Sequence, residues 1–324
     1  MVPTSSSESP LPSTEGTFGE RLSAAVRRCR NPVCVGLDPR FESLPAPLRA
    51  GRDAGSTVDR AAAFAEFSCR VIDAVRDLVP IVKPQAAFFE ALGPAGMQAL
   101  ADVLAHARQA GLETILDGKR NDIGSTAEAY ADAWIGRRGS AWGSDSLTVS
   151  PYLGDDTLLP FVRAAEARSG GIFVLVKTSN PGSAALQDRT TTVDGRAVLI
   201  RELVAQWVEG HAARTAGPSG YGDVGAVVGA TYPRELAELR RAMPHAWLLV
   251  PGYGAQGGGA DDVAAGFDDR GLGAIVNNSR GILFAHAAPE YRERVTEAGW
   301  IDAVRMATEA MIAALRERTT VGRL

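Results

Sequence analysis

The chain has 324 residues, of which 45% are hydrophobic and 22% are charged, as in globular proteins that bury one large core. Its net charge of −4 and pI near 5.7 do not provide the positive field that binds polymeric nucleic acid or anionic lipid. The sequence contains no run of about 18 apolar residues that could span a membrane. We therefore expect neither a nucleic-acid polymer nor a membrane as a partner.

The first sixteen residues, MVPTSSSESPLPSTEG, are rich in Ser, Pro and Thr. They have neither the basic start nor the apolar stretch of a secretory signal, so we predict a disordered tail over 1–16. The three cysteines, Cys29, Cys34 and Cys69, show no CxxC spacing, which favours reduced thiols and a cytoplasmic protein.

Eight short, continuously apolar runs recur along the chain, as expected of strands buried on both faces of a parallel sheet. They are VCVGLD at 33–38, VPIVKP at 79–84, ETILD at 113–117, SLTVS at 146–150, IFVLVKT at 172–178, VGAVVGA at 224–230, AWLLV at 246–250 and GAIVN at 273–277.

The segments between these apolar runs have helical periodicity. The segment before the second strand, for example, has apolar residues at spacings of three and four. Eight alternating units predict an α/β fold, a single-domain (β/α)8 TIM barrel over 17–324. We expect an extra N-terminal helix at 17–30 across the bottom of the barrel and a long C-terminal helix at about 290–318. Two longer connections, 40–57 and 182–195, follow the first and fifth strands, and the second is a candidate lid or interface insertion.

Only three of the 34 basic residues are lysines: Lys83, Lys119 and Lys177. All three end or follow apolar runs, where a compact ammonium with an adjustable pKa differs chemically from a guanidinium. Active sites of barrel enzymes lie at the carboxyl ends of the strands. We therefore treat these lysines as candidate site residues.

The third predicted strand runs into the sequence Asp117-Gly-Lys119-Arg-Asn-Asp122. Two carboxylates beside one ammonium raise the proton affinity of the lysine, while the lysine keeps the carboxylates ionised. Such a group can present a positioned proton donor. A surface ion-pair network is the alternative interpretation, but such pairs stabilise little and have no reason to follow a buried strand.

A glycine-rich segment, VPGYGAQGGG at 250–259, follows the seventh strand. It is a poor dinucleotide motif, because one strand follows and no acidic residue ends it. As a phosphate site it fits, since glycines expose backbone N–H groups and Gln256 adds a donor. Arg280, just beyond the eighth strand, can bind phosphate in a bidentate manner. The pattern therefore predicts a small phosphorylated ligand.

The four histidines stand outside these strand-end motifs, and the sequence has no nucleophile elbow. We expect chemistry driven by Lys and Asp without a metal or organic cofactor, unless a lysine forms a Schiff base.

Six motifs together resemble the orotidine 5'-phosphate decarboxylase family, of its longer bacterial type (type 2). They are VGLDPR (35–40), VKPQ (82–85), DGKRNDIGSTAEAYA (117–131), TSNPGS (178–183), VPGYGAQGG (250–258) and NNSRGILFA (277–285). The resemblance runs from about residue 17 to the C-terminus. It implies cofactor-free decarboxylation of orotidine 5'-monophosphate to uridine 5'-monophosphate in pyrimidine synthesis.

The resemblance also implies roles at the reacting end of the substrate. Lys119 would donate a proton to C6 of the pyrimidine, and Asp117 would stand against the substrate carboxylate. Lys83 and Asp38 would bind the ribose hydroxyls. Asp122 would reach into the site of a second subunit, which makes the enzyme a homodimer with shared active sites.

For the rest of the nucleotide, the resemblance implies further binding residues. Ser179 would bind the pyrimidine amide and meet Gln256, which bridges to the phosphate, and Arg280 would bind the phosphate directly. The remaining binding positions implied are Thr126 near the ribose of the partner's site, Pro251, Gly257 and Ser279. It implies no role for Lys177.

Three alternatives remain open at this point. A Mg2+-dependent sugar-phosphate decarboxylase or aldolase of the same suprafamily would need an acidic ligand after strand 2 or before Asp117, where the chain has Lys83-Pro-Gln and Leu116. A Schiff-base aldolase would use Lys119 or Lys83. A silent phosphosugar-binding protein would have no need for a buried carboxylate facing an anion.

Overall fold

A computed structural model describes residues 16–254, 257–296 and 298–324. Of the predicted tail over 1–16, residues 1–15 lie outside the described part, as does Gln256. Within the described residues there are ten strands. They are β1 (Val33–Leu37), β2 (Ile81–Pro84), β3 (Glu113–Arg120), β4 (Ser146–Val149), β5 (Gly171–Lys177), β6 (Thr190–Val193), β7 (Arg196–Leu199), β8 (Val224–Val228), β9 (Leu248–Pro251) and β10 (Ala274–Asn278).

Fourteen α-helices occur in the same described ranges. They are α1 (Phe18–Cys29), α2 (Ala46–Arg49), α3 (Thr57–Val75), α4 (Ala86–Glu90), α5 (Gly93–Gln109), α6 (Gly124–Trp134), α7 (Leu159–Arg168), α8 (Ala184–Gln187), α9 (Ile200–Thr215), α10 (Pro233–Ala242), α11 (Ala260–Val263), α12 (Arg280–Leu283), α13 (Pro289–Arg292) and α14 (Trp300–Arg318). None of the described helices is long and apolar enough to cross a membrane.

Eight of the strands close into a parallel barrel in the order β1-β2-β3-β4-β5-β8-β9-β10, and β10 pairs with β1. These are the eight strands that the apolar runs predicted. Helices connect consecutive barrel strands, so the predicted (β/α)8 barrel is confirmed. The two additional strands, β6 and β7, form an antiparallel hairpin within the connection from β5 to α9.

The predicted N-terminal helix is confirmed as α1, which covers the bottom of the barrel. Phe18 and Leu22 join the apolar cluster inside the barrel, and the Phe18 ring meets Phe173 edge to face at 6.0 Å. Gly171 makes this possible, because a Cβ there would lie 2.2 Å from the Phe18 ring. Arg21 adds an ion pair with Asp145, 3.1 Å away. The bottom is thus closed, and the opposite end carries the cavity described below.

The prediction of one long helix over about 290–318 is wrong at its N-terminal end. Pro289–Arg292 forms a separate short helix, and the long helix begins only at Trp300. Between them the backbone N–H of Gly299 donates to the carbonyl of Thr296 at 2.9 Å and so makes a turn. Trp300 is fully buried and stacks on Phe67 at 5.2 Å. Burial of this ring therefore sets the start of α14.

Candidate active site

A cavity of about 530 Å³ opens at the carboxyl end of the barrel strands, where barrel enzymes hold their active sites and within the size range of small-ligand pockets. It contains eight of the predicted site residues. The cavity is lined by Asp38, Lys83, Gln85, Asp117, Lys119, Thr148, Leu175, Thr178, Ser179, Asn180, Gln187, Val227, Leu249, Pro251, Gly252, Tyr253, Asn277, Asn278, Ser279 and Arg280.

The carboxylate of Asp117 is the centre of the polar network in this cavity. Its Oδ1 accepts hydrogen bonds from Lys119 Nζ at 2.5 Å and Thr148 Oγ1 at 3.0 Å. Its Oδ2 accepts from Lys83 Nζ at 2.8 Å and Gln85 Nε2 at 2.9 Å. Four donors on one buried carboxylate hold both lysines in fixed positions.

The charges in this network stabilise one another. Burial alone would favour the neutral form of Asp117, but the charges of Lys83 and Lys119 outweigh it and hold its pKa well below the usual range. Burial likewise disfavours the charged form of Lys83, yet the charges of Asp117 and Asp38 raise its pKa above the ordinary value. At neutral pH the cavity therefore contains ionised Asp117 beside a charged Lys83.

Lys119 has an unusual backbone conformation, with φ of +45°, which is uncommon for a residue other than glycine and points to a functional constraint. Its backbone N–H donates to Thr148 Oγ1 at 2.9 Å. Its side chain is 47% exposed, against 4% for Lys83. Lys119 is thus the lysine of this pair that an incoming ligand can reach most easily.

Asp38 lies in the same cavity with one hydrogen-bonding atom unused. Its Oδ1 is buried and has no hydrogen-bond partner among the described residues. A buried acceptor without a donor costs free energy unless a ligand or water supplies one. Asp38 is therefore available to accept from a ligand hydroxyl.

The ends of β5 and β9 bring Ser179 and Pro251 to the cavity wall. Gly229 lets the backbone of Ser179 come close, because a Cβ at Gly229 would lie 3.0 Å from Ser179 Cα. The N–H of Gly229 also donates to the carbonyl of Lys177 at 2.8 Å. The position of Ser179 is therefore fixed by the neighbouring strand end.

Ser279 and Arg280 form the side of the cavity beyond β10. Arg280 is exposed, and within the described ranges its guanidinium forms no ion pair. An unpaired guanidinium at a cavity wall suits an anionic group such as a phosphate.

Two backbone N–H groups of the glycine-rich loop are bonded within the loop itself. The N–H of Gly254 donates to the carbonyl of Gly258, and that of Gly257 donates to the carbonyl of Gly254, both at 2.8 Å. Gly257 is exposed and is not among the cavity residues. A phosphate could bind these groups only if the turn opened, so the role of Gly257 stays a prediction.

Asp122 and Thr126 do not line the cavity of their own chain. Asp122 accepts from the N–H of Ile123 at 2.8 Å, and Thr126 is exposed on α6. The structure therefore separates these two residues from the other predicted site residues.

Sequence reasoning missed several polar residues of the cavity, among them Gln85, Thr148 and Gln187. Gln85 could have been found, because it lies two residues after Lys83 and side chains at that spacing share a side of a strand. Gln187 comes from the inserted segment after β5, and nothing local in the sequence indicates that it turns back to the cavity.

Three histidines pair with acidic side chains outside the cavity, namely His106, His211 and His245.

A closed (β/α)8 barrel with a lysine–aspartate cluster at its strand ends is the arrangement of a barrel enzyme. The profile of the family described as "Orotidine 5'-phosphate decarboxylase / HUMPS family" matches residues 31–293. The chain belongs to this family, so the resemblance drawn from the six motifs is confirmed.

Relatives that carry the name orotidine 5'-phosphate decarboxylase match nearly the whole chain. The protein of Rhodopirellula baltica is 57% identical over 298 residues, which cover 91% of this chain and 97% of that protein. The protein of Deinococcus radiodurans is 44% identical over 271 residues, covering 83% and 90%. A solved structure of the OMP decarboxylase of Leishmania donovani is 33% identical with a TM-score of 0.69, covering 94% of this chain and 98% of that one.

Proposed function

We propose that this chain is an orotidine 5'-phosphate decarboxylase that converts orotidine 5'-monophosphate to uridine 5'-monophosphate and CO2. The observation that carries the proposal is the buried carboxylate of Asp117, which holds Lys83 and Lys119 in the cavity at 2.8 Å and 2.5 Å. The names of relatives that match the chain over nearly their full length support the same activity.

In this reaction the bond between C6 and the carboxylate carbon breaks, and the electron pair stays on C6. The ammonium of Lys119 stabilises that carbanion and then transfers a proton to C6, after which the amine regains a proton from water. A positioned charge that acts where charge develops is commonly the largest contribution to catalysis. Ionised Asp117 stands beside the departing carboxylate, and the geometry that fixes Lys119 is present before substrate binds.

The remaining cavity residues fit the rest of the nucleotide. Asp38, with its free buried Oδ1, and Lys83 bind ribose hydroxyls. Ser179 binds the pyrimidine amide, and Gln256 links it to the phosphate. Arg280 binds the phosphate, with Pro251 and Ser279 in the cavity wall beside it. Gly257 joins this phosphate site only when the glycine-rich turn opens. Binding energy from a remote phosphate can be used to lower the barrier at C6.

The active unit we propose is a homodimer with shared sites. Asp122 and Thr126 lie outside the cavity of their own chain, and they follow β3, whose neighbour in the barrel is β4. Exposed apolar residues follow the same two strands. They are Ile123, Tyr152 and Leu153, which are 63%, 74% and 44% exposed. Exposed apolar patches mark protein interfaces. A second subunit packed here would receive Asp122 at its own cavity.

A single barrel domain over 17–324 and a cytoplasmic location complete the proposal. The three cysteines are free thiols, and burial raises the pKa of Cys34 to about 12. Cysteines that form no disulfide are typical of a reducing compartment.

The Mg2+-dependent sugar-phosphate enzyme is not favoured. Leu116, just before Asp117, is fully buried in the core, and Gln85 donates to Asp117 at the end of β2.

The test is the ultraviolet absorbance of orotidine 5'-monophosphate after addition of protein pretreated with EDTA. The proposal predicts rapid loss of the substrate absorbance without added metal. No change, or activity that returns only with Mg2+, would instead favour the sugar-phosphate enzyme.

A further inference from the structure

Lys177 is the third lysine of the chain, and it lies outside the cavity although it ends a barrel strand. Its side chain is fully buried. Its Nζ donates to both carboxylate oxygens of Asp188, at 2.9 Å and 2.8 Å, and to Ser183 Oγ at 3.2 Å. It also lies 4.5 Å from the centre of the Tyr232 ring. Because a buried charge is costly unless it is paired, this ammonium needs Asp188 in place.

Asp188 belongs to the segment inserted between β5 and α9, and it is held from both ends of that segment. Lys177 precedes the segment, and Arg201, near the start of α9, donates to the same carboxylate. The hydrogen bond from Lys177 is the main cause that keeps the pKa of Asp188 below its usual value, with Arg201 adding to it. One carboxylate therefore closes the loop that carries α8 and the hairpin β6–β7.

The residue before Asp188 contacts the active-site wall. Gln187 Oε1 accepts from the backbone N–H of Thr178 at 3.0 Å, and its Nε2 donates to Thr178 Oγ1 at 2.9 Å. Thr178 Oγ1 in turn donates to Asn180 Oδ1 at 2.7 Å. Tyr232, the ring beside Lys177, donates its hydroxyl to the carbonyl of Asn180 at 3.4 Å. Asp188, through its neighbour Gln187, and Tyr232 thus both connect Lys177 to the wall formed by residues 178–180.

We propose that Lys177 is a positioning residue for the substrate cavity: by holding Asp188 it seats Gln187 against Thr178 and so fixes the wall that carries Ser179. This inference rests on the proposed function, which assigns Ser179 to the pyrimidine. The surroundings also explain why this position is a lysine, although nearly all basic residues of the chain are arginines. A compact ammonium fits between Ser183, Asp188 and the Tyr232 ring, and a planar guanidinium is larger. Positioning residues matter because displacement of a wall by about 1 Å can cost about a hundredfold in rate.

The test uses three variants: Lys177→Met, Gln187→Ala and the double variant that carries both substitutions. Arg137→Met is the control. Arg137 forms a similarly buried ion pair with Asp145 near the bottom of the barrel and serves as the matched control for loss of stability. Lys177→Met should lower kcat/KM for orotidine 5'-monophosphate about tenfold or more. The double variant should have a kcat/KM no lower than that of the less active single variant. Arg137→Met, assayed at a temperature well below its Tm, should keep the wild-type kcat/KM.

Hydrogen exchange supplies a readout that does not need activity. The amide of Thr178 should exchange faster in Lys177→Met, by tenfold or more, and stay protected in Arg137→Met. If Lys177→Met fails to fold, Asp188→Asn, whose side chain is 29% exposed, should give the same two results. Wild-type kcat/KM with unchanged Thr178 protection, or losses that add fully in the double variant, would overturn the proposal. Inactive wild type with lost Thr178 protection in Lys177→Met would instead refute the proposed decarboxylase and leave the positioning role standing.

Discussion

Lys119 Nζ lies 2.5 Å from Asp117 Oδ1, although the side chain of Lys119 is nearly half exposed at 47%. The two residues are two positions apart at the end of β3, where the pairing with β4 shifts its register between Leu116 and Arg120. The positive φ of Lys119 and the hydrogen bond from its N–H to Thr148 fix the backbone there. The ammonium of Lys119, the proton donor that we propose, is therefore held in the cavity by its ion pair with Asp117 and by this fixed backbone.

Asp117→Asn keeps the size of the side chain and removes its charge. We expect kcat to fall about a hundredfold to a thousandfold, because Lys83 and Lys119 then lose their shared anion and repel each other. Thr148→Val removes one neutral donor to the same carboxylate and the acceptor of the Lys119 N–H, but no charge, and should cost less, about tenfold. Steady-state kinetics on both variants decide the matter. An equal loss of kcat in the two variants would show that the charge of Asp117 does not contribute to catalysis.

Arg280→Ala removes the unpaired guanidinium at the cavity wall. Because hydrogen bonds to charged groups contribute about 1.5–3 kcal/mol, we expect KM to rise about tenfold to a hundredfold. Added guanidinium ion should restore part of the loss. Arg234→Ala, whose side chain is 89% exposed on α10, is the control and should leave KM unchanged. An unchanged KM in Arg280→Ala would remove Arg280 from the phosphate site.

Mixed dimers test the shared site. If Asp122 acts in the partner's cavity, mixing inactive Lys119→Ala with inactive Asp122→Ala creates dimers in which one site carries both substitutions and the other neither. About a quarter of the wild-type activity should return after subunit exchange. A mixture no more active than its two components would show that Asp122 acts within its own chain or not at all.

Glu113, near the bottom of the barrel, should make stability depend on pH. Burial and the nearby Asp145 raise the pKa of Glu113 to about 7, although Arg21 and Arg137 oppose this. The folded state then holds the proton more tightly than the unfolded chain, whose Glu has a pKa of about 4.3. The contribution to stability is therefore largest at low pH and is lost as pH rises towards 7.

Between pH 5 and pH 8 the free energy of unfolding should consequently fall by an amount on the order of 2 kcal/mol through Glu113. Glu113→Gln cannot titrate and should lack this part of the pH dependence. Urea unfolding of both proteins at the two pH values measures the difference, because titrating groups away from the cluster of Glu113 and Asp145 contribute equally to both. Parallel pH profiles would refute the assignment.

Much of the fold and part of the site could be predicted because their signals are local. Strands buried on both faces appear as unbroken apolar runs, and Lys83, Asp117 and Lys119 end or follow such runs directly. The start of α14 was missed because burial of Trp300 against Phe67, far away in the chain, determines it. Gln187 was missed for a similar reason, since the Lys177–Asp188 pair that brings it to the cavity depends on how a long insertion turns back.

We propose that Lys119 supplies the proton and the charge for decarboxylation and that ligand binding does not require it. For Lys119→Ala, kcat for orotidine 5'-monophosphate and the Kd for uridine 5'-monophosphate should be measured on the same protein. We expect kcat to fall at least about a thousandfold while the Kd changes by less than about tenfold. Decarboxylation by this variant at near the wild-type rate would show that Lys119 is not the proton donor.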